Sequence, residues 1–156
     1  MTVKSFFGNL GCRTEGGALV EACLTLPTLF LFVLGAVEFS RLAYTSLEVV
    51  SAAKAGVAYG AQNGGVSTDT SGITMAATTD AANVTSLKVI SADSTYACSD
   101  GSPIDSSKAL NTQCASSHMI QTLTVHTQAK IDPLIHVPGL PSTYTIDGQA
   151  SQACLQ

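Results

Sequence analysis

The hydrophobic positions of this chain form one long run near the N-terminus and shorter periodic patterns after it. Residues 18–37 are 20 consecutive positions with one charged side chain, Glu21. At 1.5 Å per residue, a helix of this length spans about 30 Å, the hydrocarbon thickness of a bilayer. The run passes directly into Glu38 without the small-x-small cleavage site of a secretory signal peptide. The pattern therefore predicts a retained membrane-spanning helix.

Beyond this run the helical pattern continues to Gly60, which with Gly64-Gly65 supplies the stop. An unbroken helix from Ala18 to Gly60 would be about 65 Å long, and its second half needs a covering partner. Pro27 removes one backbone hydrogen bond and leaves two interpretations open, a harmless bend and a functional hinge. Three- and four-residue steps predict one apolar stripe on the continuation, made of Phe39, Leu42, Ala43, Leu47, Val50, Ala53 and Val57.

The rest of the chain has the pattern of a small α+β domain. Asp69, Thr70 or Ser71 caps a predicted short helix, whose apolar face carries Ile73, Ala77, Ala81 and Val84. Alternation predicts a brief strand at 87–91 and longer strands at 120–131 and 143–150. The simplest assembly is an antiparallel sheet whose apolar face covers the stripe on the long helix. We expect a leader (1–16), a transmembrane helix (17–37), its extracytoplasmic continuation (38–61) and the α+β domain (62–156).

Composition narrows the classes of function. The chain is 46% hydrophobic and 12% charged, carries a net charge of -4 and lacks Trp. It has no basic stripe, so we expect no nucleic-acid partner. No Ser-His-Asp or Cys-His arrangement surrounds His118, His126 or His136. We therefore expect neither catalysis nor a bound cofactor or metal.

The cysteines suggest an oxidising compartment, because three of the five lie in weakly charged sequence rich in Ser and Thr. A disulfide between Cys98 and Cys114 would add about 3 kcal/mol by the chain-entropy estimate. Pairing of either residue with Cys154 stays open. A metal site is the alternative for these thiols, but no Cys-x-x-Cys or His-x-x-x-His spacing supports it, so the disulfide is favoured.

One segment resembles a known family. It begins with Gly16-Gly17-Ala-Leu-Val-Glu21-Ala-Cys-Leu-Thr-Leu-Pro27 and continues with Gly35-Ala-Val-Glu38-Phe39-Ser-Arg41. This segment resembles the TadE-like proteins, minor pilins (pseudopilins) of the tight-adherence or Flp pilus system, over roughly residues 15–60. The resemblance implies a pilin-like α+β fold and a single-pass protein of the bacterial inner membrane. Its N-terminus would be cytoplasmic and its C-terminal domain periplasmic.

The resemblance also implies processing by a prepilin peptidase after a glycine, with a glutamate fifth in the mature chain. Cleavage between Gly16 and Gly17 makes Glu21 that fifth residue. The new ammonium and the Glu21 carboxylate, one helical turn away, can neutralise each other within a subunit or between neighbours. Assembly through the helix around Glu21 and Pro27 makes membrane lipid, other pilus subunits and, transiently, the peptidase the expected partners.

The chain departs from the family pattern at two positions. Gly17 stands where type IV pilins favour Phe, and Ala22 where major Flp pilins usually have an aromatic residue. At 156 residues the chain is too long for a major Flp pilin, so a minor subunit fits better. The alternative is an unprocessed, membrane-anchored binding or adhesin module. It predicts an intact Met1 and a ligand for the loop between Cys98 and Cys114.

Overall fold

The structure is a computed structural model that describes residues 15–62, 64–104, 114, 117–134, 136, 139 and 141–154. Its elements are helix α1 (Glu15–Gly60), a 3-10 helix (Val66–Thr68), helix α2 (Thr70–Asp80), and strands β1 (Lys88–Cys98), β2 (Pro103–Ile104), β3 (Met119–Ile131) and β4 (Tyr144–Ala153). The four strands pair antiparallel in the order β2-β1-β3-β4. The α+β class predicted from the sequence is confirmed. Of the expected leader, residues 1–14 lie outside the described residues.

Contacts divide the chain into two compact units, Met1–Phe39 and Ser40–Gln156. We call them the N-terminal unit and the C-terminal unit and describe each by itself. In the N-terminal unit the described residues form a single stretch of α1 with Pro27 inside it. The four-part division expected from the sequence stays a prediction.

The core of the C-terminal unit lies between the sheet and the last three turns of α1. Two clusters of buried side chains form it. The first contains Val49, Ala52, Ala77, Ala81, Leu87 and Ala129. The second contains Val57, Ala61, Ile73, Leu123, Val125 and Cys154. The predicted covering of α1 by the apolar face of the sheet is confirmed.

The predicted apolar stripe on α1 is partly wrong. Ala53 and Val57 are buried, but Phe39 and Leu47 are 73% and 70% exposed, and Ala43 is also exposed. Small residues occupy the buried side instead, namely Ala52, Gly56 and Gly60. A Cβ on Gly56 would lie 3.3 Å from Cγ2 of Ile73. Small side chains permit this close approach of α1 and α2, whereas the prediction had favoured the largest apolar residues.

Helix α2 begins where the sequence predicted. The Asp69 side chain is the N-cap and accepts a hydrogen bond of 3.0 Å from the Gly72 backbone N–H. Ile73 and Ala77 are buried as expected. The helix ends at Asp80, so Val84 packs against the first core cluster from the following turn rather than from the helix.

Strand β1 is longer than the predicted segment 87–91, since it extends to Cys98. Its second half carries small and polar residues without a clear apolar alternation, and pairing with β3 continues to Cys98 opposite Met119. The register shifts between Val89 and Ser91. The short strand β2, which the sequence did not predict, pairs with the end of β1.

Strand β3 confirms the prediction for 120–131 and adds two buried polar residues to its core face. Thr127 Oγ1 donates a 2.8 Å hydrogen bond to the Val49 carbonyl of α1. Gln121 Nε2 donates a 2.8 Å hydrogen bond to Ser67 Oγ in the 3-10 helix. Buried polar groups are tolerated when they are hydrogen-bonded, so these two contacts fix the position of the sheet against its neighbours. Strand β4 likewise forms where alternation predicted it.

Candidate functional site

The two glycines at the start of α1 are exposed and have no packing role within the described chain. Gly16 and Gly17 lie in the first turn of the helix, which begins at Glu15. Apart from the chain neighbours and the backbone of the same helix, no described heavy atom lies within 4 Å of a Cβ built at either position. Packing within the described chain therefore gives no reason for glycine at either position.

Glu21 lies one helical turn after Gly17, on an exposed part of α1. Among the described residues, no hydrogen bond or ion pair reaches its carboxylate. Its backbone carbonyl, by contrast, accepts a 2.9 Å hydrogen bond from Thr25 Oγ1. A charged group in an otherwise apolar run needs a partner or contact with the membrane surface. That partner must come from outside the described part of the chain.

The other polar side chains near Pro27 bond to their own helix. Thr25 Oγ1 reaches the carbonyls of Glu21 and Ala22, and Thr28 Oγ1 donates a 3.1 Å hydrogen bond to the Leu24 carbonyl. Such bonds satisfy a hydroxyl inside a bilayer without a second molecule. The threonines therefore need no external partner, in contrast to Glu21.

A shallow apolar groove of about 410 Å³ follows this part of α1. Its lining residues are Leu24, Thr25, Leu26, Thr28, Leu29 and Phe32. The leucines and Phe32 are 51–73% exposed. The sequence analysis did not identify this groove.

The apolar side chains of the N-terminal unit are uncovered. Among the described residues, one helix is long and apolar enough to cross a membrane; its most apolar window has a mean hydropathy of 2.0, and none of that window is buried. The core helix of a soluble protein would be mostly buried, so this exposure favours a membrane anchor. The helix fits the anchor predicted from the sequence.

The two predicted cysteines lie in the C-terminal unit. Cys98, at the end of β1, forms a disulfide with Cys114, and their Cα atoms are 5.9 Å apart. The favoured pairing is confirmed, and the alternatives with Cys154 are wrong. Cys154 is a free, buried thiol in the second core cluster, and burial raises its pKa. The disulfide and the segment Gly16–Pro27 thus belong to different units.

A hydrogen-bonded group around Asp69 was missed by sequence reasoning, apart from its capping role. Ser71 Oγ donates to Oδ1 at 2.7 Å, and Tyr59 Oη donates to Oδ2 at 3.0 Å. Together with the backbone N–H of Gly72, these donors lower the pKa of Asp69, with Ser71 the largest cause. The same contact with Asp69 raises the pKa of the Tyr59 phenol. These hydrogen bonds to Asp69 hold the start of α2 against α1.

The three histidines are dispersed in the C-terminal unit. His118 and His136 are exposed, and His126 is half-buried on the face of β3 opposite the core. Within the described ranges, no group of three or more His, Cys, Asp or Glu side chains has the placement to hold a metal ion.

Comparison with known proteins identifies the segment that carries Gly16, Gly17, Glu21 and Pro27. Residues 16–58 match the family model described as TadE-like protein. Over these residues the chain is similar to that family. The match coincides with α1, and it ends before α2 and the sheet. No curated protein and no solved structure matches the chain.

The TadE-like match confirms the resemblance inferred from the sequence and supports a component associated with the Tad pilus. It includes every candidate residue of the N-terminal unit and neither disulfide cysteine. The match extends into the C-terminal unit as far as residue 58. The family comparison bears on α1, while contacts alone describe the sheet.

Proposed function

We propose that this TadE-like protein is a minor pilin, or pseudopilin, that acts as a structural component of the tight-adherence (Flp) pilus machinery in pilus biogenesis and adhesion rather than as an enzyme. Its apolar helix anchors it in the bacterial inner membrane as a single span. Its N-terminus is cytoplasmic, and its C-terminal unit lies on the periplasmic side. Its partners are lipid, other pilus subunits and, transiently, a prepilin peptidase.

The observation that carries this proposal is the exposed Glu21 carboxylate, which has no partner among the described residues of a TadE-like helix. A carboxylate in an apolar run is costly, about 2.5–3.5 kcal/mol at the centre of a membrane helix and less near its end. An ammonium beside it offsets part of that cost, because opposite charges within a few ångströms favour each other's charged form.

Processing between Gly16 and Gly17 would create such an ammonium. The new N-terminus would stand four residues before Glu21, one turn along α1, so the two groups would share a helix face. The exposure of both glycines supports access by a peptidase. Pairing within one subunit stabilises the processed helix in the membrane, and pairing between subunits provides a contact for assembly.

The flanking apolar surface supports a role in subunit contact. Helices in a bilayer associate through close packing and small residues rather than through the hydrophobic effect. Ala18, Ala22, Gly35 and Ala36 are small, and Gly35 has no heavy atom within 4 Å of a built Cβ. The described part of this unit therefore leaves room for the approach of a second helix.

Complementation with full-length variants tests this function. In a strain that lacks the wild-type gene, Glu21→Ala and Glu21→Gln should abolish surface pili, because neither side chain can pair with an ammonium. Thr28→Val is the matched control, since the Thr28 hydroxyl bonds only within its own helix, and it should retain pili. Each variant is also checked for membrane level and for thermal unfolding of the C-terminal unit, both of which should match wild type. Normal piliation by Glu21→Ala would refute the role of this carboxylate.

A further inference from the structure

Strand β4 is an edge strand, and its partner among the described strands is β3. A hydrogen bond just past its end shows which backbone groups face that partner: the Cys154 N–H donates to the Gln121 carbonyl of β3 at 2.8 Å. In an antiparallel pair, successive residues alternate between bonding to the neighbour and pointing away from it. The even-numbered residues of β4 therefore bond to β3, and the odd-numbered ones direct their N–H and C=O groups outward. These outward residues are Thr145, Asp147, Gln149, Ser151 and Ala153.

The outward backbone groups of β4 are unpaired within the described chain. No backbone hydrogen bond from a described residue outside the sheet reaches any of the five. All five residues are exposed. Ile146 and Ala150 pack against the core clusters but stay half-buried, since no described strand covers their outer side. An unpaired edge ten residues long is a template for a further strand.

The opposite edge of the sheet is protected, whereas β4 is not. The short strand β2 pairs with the end of β1, and helix α2 contacts β1. Strand β1 also has a register shift between Val89 and Ser91 and an exposed Lys88. Short edge strands, bulges, lysines and prolines are the features that keep sheet edges from pairing. Strand β4 keeps an unbroken register with β3 and contains neither Lys nor Pro.

The sequence of β4 is complementary to an antiparallel copy of itself. With a twofold axis at Gln149, each outward residue lies opposite an outward residue of the other strand, Asp147 opposite Ser151 and Thr145 opposite Ala153. Asp147 is the only charged residue of β4, and this register keeps the two carboxylates about 14 Å apart along the strands. An axis at Asp147 would place like charges directly opposite, which is destabilising. An axis one residue to either side of Gln149 would leave Thr145 or Ala153 without an opposite residue in the strand.

We propose that β4 pairs with β4 of a second copy of this chain, antiparallel and in the register centred on Gln149. The outward N–H and C=O groups of each strand bond to the other, so the two sheets become one continuous sheet across the twofold axis. The position of Asp147 selects this register and makes the edge self-complementary. The inference goes beyond the proposed function and uses neither the membrane anchor nor Glu21, so either can fail without the other.

Disulfide cross-linking of the purified full-length protein in micelles tests the register. All variants carry Cys23→Ser, which removes the exposed free thiol. Gln149→Cys should form a disulfide-linked dimer on oxidation, because directly opposite Cα atoms are about 4.5–5.5 Å apart, within the range of a disulfide. Thr145→Cys is the matched control on the same exposed face. The two copies of this residue would lie about 27 Å apart, so it should form no dimer alone and should cross-link only when mixed with Ala153→Cys.

A proline tests whether backbone hydrogen bonds hold the two strands together. In the Gln149→Cys protein, Ser151→Pro removes an outward N–H that β3 does not use, and an edge strand tolerates proline at such a position. The dimer should be lost, while thermal unfolding of the C-terminal unit stays close to that of wild type. Ser151→Ala keeps the N–H and should retain the dimer. Ser151→Asp leaves the backbone intact and places a second carboxylate opposite Asp147, so it should slow dimer formation several-fold.

Three outcomes would overturn the proposal. Dimer formation by Thr145→Cys alone, as fast as by Gln149→Cys, would indicate random collision. Retention of the Gln149→Cys dimer in both Ser151→Pro and Ser151→Asp would contradict pairing through this edge. If the purified protein forms no dimer while Gln149→Cys in native membranes links to a different protein, another subunit occupies the edge. Failure here leaves the Glu21 test intact, because those variants do not change β4.

Discussion

The two parts of helix α1 use apolar residues in opposite ways. In residues 15–39 the large aliphatic and aromatic side chains are 46–73% exposed and have no cover within the described chain. In residues 40–60 the fully buried side is made of Val49, Ala52, Ala53 and Val57, with Gly56 and Gly60 beside them. Large residues point outward in the first part, and small ones point inward in the second.

The two parts of α1 therefore require different surroundings. Small residues on the second part allow the sheet and α2 to approach the helix closely, as the contact of Gly56 with Ile73 illustrates. Large residues on the first part leave an apolar surface that no described residue covers. Helix α1 therefore contributes to the core of the C-terminal unit, whereas its residues in the N-terminal unit are exposed within the described chain.

The same substitution in each unit should have very different effects on stability. Leu123 is completely buried against Gly60 and Ile73, so Leu123→Ala should lower the free energy of unfolding of the C-terminal unit by about 2–5 kcal/mol. Leu31 is 71% exposed, and Leu31→Ala should leave that free energy unchanged. Chemical denaturation of the full-length protein in micelles, followed by circular dichroism, measures both variants. Equal destabilisation by the two would contradict the division into covered and uncovered parts.

Loss of the disulfide should also destabilise only the C-terminal unit. The bridge joins cysteines 16 positions apart, so Cys98→Ser or Cys114→Ser should cost about 3 kcal/mol, chiefly by releasing constraint on the unfolded chain. Cys23→Ser is the control, since this free and exposed thiol lies in the N-terminal unit. Denaturation midpoints with and without reductant give the comparison. A reductant effect that persists in Cys98→Ser would show that another cysteine is responsible.

The smallest expected effect concerns the two ends of α2. Asp69→Ala removes the cap and its bonds to Gly72 and Tyr59, so the melting temperature should fall. Asp80→Ala removes a negative charge from the exposed C-terminal end of the same helix, where it opposes the helix dipole, and should leave the melting temperature unchanged or slightly raise it. Thermal melts of both variants near neutral pH test this contrast. An equal decrease in both would contradict the assignment of the Asp69 effect to capping.

The stabilisation of the C-terminal unit by Asp69 should also depend on pH. Folding lowers the pKa of Asp69, so the ionised carboxylate stabilises the folded state. This stabilisation is present above the unfolded pKa of about 3.9 and is lost as the pH falls through the folded pKa. Folding raises the pKa of Tyr59, so the protonated phenol stabilises the folded state. This stabilisation is present below the unfolded pKa of about 10 and is lost as the pH rises through the folded pKa. The difference in melting temperature between wild type and Asp69→Ala should therefore narrow at both extremes. A constant difference across the whole range would contradict the assignment.

Sequence patterns predicted those parts of the fold that depend on local periodicity. The extent of α1, the cap and buried face of α2, and the strands β3 and β4 all followed from three-to-four-residue steps, capping residues or alternation. The disulfide was predicted because the cysteine and histidine spacings did not support a metal site. The candidate residues Gly16, Gly17, Glu21 and Pro27 lie on α1 as expected, while their roles stay predictions.

Features that depend on long-range contacts were not predictable in the same way. The second half of β1 forms because β3 supplies a pairing partner, although residues such as Ser94 and Thr95 carry no apolar signal. The buried side of α1 was partly misassigned. Close packing selects small residues such as Gly56 there, whereas the predicted stripe favoured large apolar residues. Arg41 and Lys130, almost 90 positions apart in the chain, line one polar cleft of the C-terminal unit. Only the packed structure brings such residues together.

We propose that the start of α1 is cleaved by a peptidase and that the processed helix takes part in assembly. The mass of the mature chain tests the cleavage most directly. Protein is extracted from membranes of cells with and without the prepilin peptidase, and its intact mass and N-terminal sequence are determined. We expect a chain that begins at Gly17 when the peptidase is present and at Met1 when it is absent. A chain that retains Met1 in cells with an active peptidase would contradict this expectation and favour the unprocessed binding module.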